Sequence, residues 1–92
     1  MIYLAGRIRG RKGYQRAFAK AADKLRAEGN IVYNPAAANM EGLPLRRIMA
    51  HLLPQLCECD TIALLPWWWT RFGGTWVEVA LAFYLGLKFR RA

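Results

Sequence analysis

The chain opens on an apolar run, Ile2-Tyr3-Leu4-Ala5, closed by Gly6, which is the pattern of a short buried strand. A glycine-punctuated basic segment, GRIRGRKG, follows and reads as a loop. From Tyr14 to Glu28 the apolar residues Tyr14, Phe18, Ala21, Ala22 and Leu25 recur at helical spacing, with Lys20, Asp23, Lys24 and Arg26 between them. This predicts an amphipathic helix stopped by Gly29. IVYN then predicts a second strand closed by Pro35, and AAANMEGLP a loop leading to a second helix from about Leu45 to Cys57. Pro54 should kink that helix or end it early. TIALLP, residues 61–66, is an uncharged third strand. After the aromatic segment WWWTRFGG, the residues from about Thr75 to Leu85 predict a helix apolar nearly all round, and Gly86 ends it before a last short strand near Leu87–Arg90.

Strands that alternate with helices predict an α/β domain with right-handed crossovers and a parallel sheet. The expected architecture is a small Rossmann-like domain over residues 1–92, four parallel strands in the order 2-1-3-4 with helices on both faces. The connections diverge around the first strand, so a crevice is expected between strands 1 and 3, beyond their carboxyl ends. Those ends lead into GRIRGRKG and WWWTRFGG.

Composition sharpens this picture in two ways. An apolar fraction of 55%, with four Trp, four Tyr and four Phe, is large for so short a chain and predicts that some of that surface meets another subunit. The net charge of +8 is concentrated at Arg7, Arg9, Arg11 and Lys12 and again at Lys88, Arg90 and Arg91. Such clusters suit phosphate, in a nucleotide or a polymer, or serve as a solvated surface that keeps an apolar protein in solution. No signal peptide or membrane span is expected, because Arg71, Glu78 and the glycines interrupt the apolar C-terminal run. Cys57 and Cys59, with His51 the single histidine, are too few ligands for a structural zinc site, so reduced, buried thiols in a cytoplasmic protein without metal or other cofactor are expected. His51 itself is expected to pack or to be solvated on the second helix.

The candidate chemistry centres on Glu78, a lone carboxylate flanked by Trp76, Val77 and Val79. An acid in such a setting is paired, caps a helix or is kept for chemistry. Thr75 and Glu78 fit a T-x-x-E capping box, which alone would explain the glutamate. Its place after Gly73, Gly74 and Thr75, at the predicted ligand edge, favours chemistry, with the helix N-terminus keeping it ionised. Gly6, Arg7, Ile8, Arg9, Gly10 and Arg11 form a loop between a strand and a helix N-terminus, an arrangement that can present backbone amides and guanidinium groups to an anion. Their spacing is not the dinucleotide fingerprint G-x-G-x-x-G. Asp60, just before the third strand, reads as a turn or strand-edge residue.

Taken together, IYLAGRIRG, KLRAEGNIVYNPA, LLPQLCECDTIALLP and GGTWVEVALAFYLGL resemble the nucleoside 2-deoxyribosyltransferase superfamily, especially its small phage and bacterial members, over nearly the whole chain. AGRIRG is also similar to the loop that holds the substrate's phosphate in the related deoxynucleoside 5′-monophosphate N-glycosidases. The resemblance implies a Rossmann-like sheet, a nucleoside or nucleotide ligand and attack on the anomeric carbon of its sugar by a glutamate, here Glu78, with Tyr3 beside it. It also implies substrate contacts from the first loop and from Asp60, Trp67, Gly73, Gly74 and Thr75, and pockets completed by a neighbouring subunit. The positions where the family carries two catalytic aspartates are Leu52 and Phe72 here, and the proline usual after the first-strand glycine is Arg7. A leucine cannot protonate a leaving base.

Three readings follow. The first is an N-glycosidase or deoxyribosyltransferase working through Glu78. The second is a non-catalytic nucleotide sensor or sequestering module that uses the arginines for phosphate. The third is a nucleic-acid binder in which Trp67, Trp68 and Trp69 stack bases, although three consecutive tryptophans cannot all face one way and equally suit a pocket wall and subunit interface.

Overall fold

The computed structural model describes residues 1–6, 13–37, 42–66, 68 and 74–92. Their elements are β1 (Ile2–Ala5), α1 (Tyr14–Ala27), β2 (Val32–Tyr33), a 3-10 turn at Pro35–Ala37, α2 (Leu45–Cys57), β3 (Thr61–Leu64), α3 (Gly74–Leu85) and β4 (Lys88–Arg91). All pairings are parallel and the strand order is β2-β1-β3-β4, so the expected α/β topology is the observed one.

Alternation along the two central strands divides the core. Ile2 and Leu4 of β1 and Ala63 of β3 pack with Phe18, Ala22 and Leu25 of α1 on one face. Tyr3 and Ala5 of β1 and Ile62 of β3 pack with Leu52 and Leu56 of α2 and Ala82 of α3 on the other. A continuous apolar strand is thus explained by burial on both faces, as parallel sheets require.

The helix ends follow local chemistry. At the end of α1 the Gly29 amide donates to the Arg26 carbonyl at 2.9 Å and the Asn30 amide to the Leu25 carbonyl at 3.2 Å. This pair of bonds requires a left-handed residue, and Gly29 has φ 94°. α3 ends in the same way, with the Gly86 and Leu87 amides on the carbonyls of Phe83 and Ala82.

α2 has the expected span, Leu45–Cys57, and Pro54 lies inside it without ending it early. The ring removes the amide that would reach the carbonyl of Ala50, but Ala50 and Pro54 are both exposed, where water can satisfy that carbonyl. Cys57 is likewise exposed at the end of this helix, and only Cys59 has the burial expected of both thiols. Among the described residues no helix is long and apolar enough to cross a membrane.

Candidate active site at the carboxyl edge of the sheet

The first turn of α3 is joined to β1 by two side chains. The Thr75 hydroxyl donates to the carbonyl of Gly6 at 2.8 Å, fixing the start of the helix over the carboxyl end of β1. One turn later the Tyr3 hydroxyl donates to the Glu78 carboxylate. The expected capping box is therefore replaced by bonds to the strand. Thr75 holds β1, and Glu78 has Tyr3 as its partner.

Backbone clearance at this junction is small. A Cβ on Gly6 would lie 3.0 Å from Cβ of Leu65 and 3.3 Å from the Phe18 ring, so a glycine lets the chain leave β1 between two packed side chains.

Glu78 is only 5% exposed. It forms no ion pair among the described residues. Burial pushes its carboxyl from the ordinary 4.5 up to about 7, and the hydrogen bond from Tyr3 offsets only part of that rise. The expectation that the helix N-terminus keeps Glu78 fully ionised is thus corrected. Desolvation dominates, and roughly half the carboxyl is protonated near neutrality. Tyr3 is driven well above the tyrosine range by its own burial first, then by the charge and hydrogen bond of Glu78. Tyr3 therefore stays a neutral donor and holds the carboxylate rather than supplying protons.

A second tyrosine, not singled out from the sequence, completes the group. Register pairs Tyr3 with Tyr33 of β2, and their rings stack with centroids 5.5 Å apart and planes at 18°. Tyr33 is half-buried, and its hydroxyl is pushed up by burial and then by the Glu78 charge. The signal was a tyrosine in each of two strands, but their register is not readable from either strand alone. The Trp68 ring packs on that of Trp76, in the first turn of α3, at 5.0 Å in a tilted arrangement.

Tyr3, Gly6, Gly74, Thr75 and Glu78 are thus brought together. Asp60 is not among them. It precedes β3 at the amino edge of the sheet, is exposed, and pairs with the N-terminal amine of Met1 at 3.3 Å, which holds its carboxyl below the usual range. Leu52 is fully packed in the Tyr3 cluster. Cys59 donates its thiol to the Gln55 carbonyl at 3.3 Å, and burial raises its pKa, so it is unsuited to act as a nucleophile. Arg7, Ile8, Arg9, Gly10, Arg11, Trp67, Phe72 and Gly73 lie outside the described residues.

The arrangement defines a parallel α/β domain with a buried acid–tyrosine pair that joins α3 to the central strand β1. The family described as a domain of unknown function (DUF4406) matches residues 1–90, and the chain belongs to it. Searches of curated proteins and of solved structures returned no match.

Proposed function

We propose that this protein binds a nucleoside or nucleotide at the carboxyl edge of its sheet and cleaves or transfers the N-glycosidic bond through Glu78. The supporting observation is the buried Glu78–Tyr3 pair. A carboxyl held at 5% exposure with a neutral phenol as its described partner is a costly way to stabilise a fold and a suitable way to hold a nucleophile. The resemblance to nucleoside 2-deoxyribosyltransferases adds the substrate class.

In the proposed reaction a Glu78 oxygen bonds to the anomeric carbon as the carbon–nitrogen bond breaks, and that electron pair leaves with the base. Tyr3 donates its one hydroxyl proton to Oε2 of the carboxylate and keeps it oriented, leaving the other oxygen to attack. The departing base takes its proton from water, because the position of the family's acid is the packed Leu52. Water, or a second base, then releases the sugar from Glu78 and regenerates the carboxylate. Arg7, Arg9 and Arg11 are proposed to receive the phosphate beside the start of α1, where Gly13 supplies no side-chain cap.

The same burial of Leu52 favours a second reading, a nucleotide sensor that binds at this site without turnover. Incubation of the whole chain with a panel of nucleosides and nucleotides, followed by mass spectrometry, separates the two. Released free base supports the enzyme, retained intact ligand supports the sensor, and neither rejects both.

A further inference from the structure

α3 has two apolar sides. Its inner side places Ala82 in the Tyr3 cluster, with Val79 and Leu81 packed against it. Its outer side carries Val77, Ala80, Phe83, Tyr84 and Leu85, all exposed. Phe83 is 79% and Tyr84 86% exposed, values unusual for rings of that size in a lone subunit. No charged residue occurs between Glu78, which is turned inward, and Lys88. A helix apolar all round is ordinarily covered on all sides.

We infer that a second copy of this chain covers the outer side of α3, in a two-fold dimer with the helices crossing near Ala80. Area is the first argument. Two aromatic residues at these exposures offer roughly 250 to 400 Å² per copy, and the half-exposed Val77 and Leu85 extend the patch. Counted on both copies, the total is about 1,000 Å², the size at which specific interfaces begin.

Charge is the second argument. The exposed parts of the other helices and of β4 carry Lys20, Lys24, Arg26, Arg46, Arg47, Lys88 and Arg91, in a chain of net charge +8. An uncharged face lets two identical copies meet without opposing like charges, and the outer side of α3 is such a face. The β4 edge of the sheet is less suitable, because pairing β4 with its copy would bring Lys88, Arg90 and Arg91 close to one another. Shape is the third argument. Ala80 is the small residue between Val77 and Tyr84 on one helical stripe, so each copy offers a gap that an aromatic ring of the other can fill.

This inference does not depend on the chemistry of Glu78. Sedimentation equilibrium of the whole chain from about 1 to 100 µM tests it, alongside Phe83→Lys and Tyr84→Lys. The wild type should reach at least twice the 10.5 kDa chain mass. Each variant should dissociate at least about tenfold more readily, as buried aromatic anchors do. Both substituted side chains are exposed in the single chain, so circular dichroism should be unchanged. A wild type that remains 10.5 kDa at the highest concentration, or variants that associate as tightly as the wild type, would overturn it.

Discussion

Glu78→Gln isolates the energetic cost of the buried acid. Glutamine keeps the shape and an acceptor for the Tyr3 hydroxyl but cannot ionise. In the wild type the carboxyl holds its proton to about pH 7 when folded, against 4.5 in an ordinary setting. At about 1.4 kcal/mol for each pH unit between the two values, full ionisation costs the fold about 3 kcal/mol. The sign is opposite to that of a salt-bridged acid. Below about pH 4.5 both states carry the proton and nothing is lost. Between there and about pH 7 only the unfolded chain ionises, so stability falls as pH rises, and above pH 7 the loss is complete.

The assay is thermal unfolding of both proteins at a series of pH values from 4 to 8.5. Groups such as Asp60 are common to both and cancel in the difference. Glu78→Gln should match the wild type at the acid end and exceed its Tm above pH 7 by roughly 10 to 25 °C, using the conversion for domains of this length. Parallel curves would show that Glu78 is solvated or matched by a cation, and would refute the desolvation argument.

Further outcomes follow from the same geometry. Tyr3→Phe removes the hydrogen bond that, among the described residues, favours the carboxylate, so the pH at which Glu78 ionises should move upward, measured by the same unfolding series or by carboxyl NMR. Gly6→Ala should destabilise by about 1–3 kcal/mol in urea unfolding, because its new methyl meets Leu65 and Phe18. If base release occurs, kcat/KM should rise with pH and level off above about 7, since the ionised carboxylate is the nucleophile. Calorimetry should show a nucleoside monophosphate binding more tightly than its nucleoside, with the gain reduced by Arg7→Ala or Arg9→Ala. Equal affinities would make that loop a solvated basic surface.

The period of apolar residues made the elements and their order legible, since both come from local patterning and a strong chirality rule. Glu78 was legible for a related reason, being one charge in a long apolar run. What could not be read was partnership. Thr75 and Glu78 satisfy a local capping pattern, yet they bond to Gly6 and Tyr3, across a sequence distance no window spans. Tyr33 joins Tyr3 only through strand register. Asp60, adjacent to the core in sequence, is directed to the opposite edge because it precedes its strand instead of following it. Pro54 is tolerated inside α2 because it lies on the exposed side, where water can satisfy the carbonyl of Ala50, and which side that is depends on how α2 packs.

The central claim is that Glu78 is kept at a cost in stability because it attacks a glycosidic bond. Its most direct test is the rate of free-base release from a panel of nucleotides by the wild type and by Glu78→Gln, prepared identically and both folded. The account predicts release by the wild type and none above background by the variant, although the variant is the more stable protein above pH 7. Equal release by the two, or none by either, would contradict it.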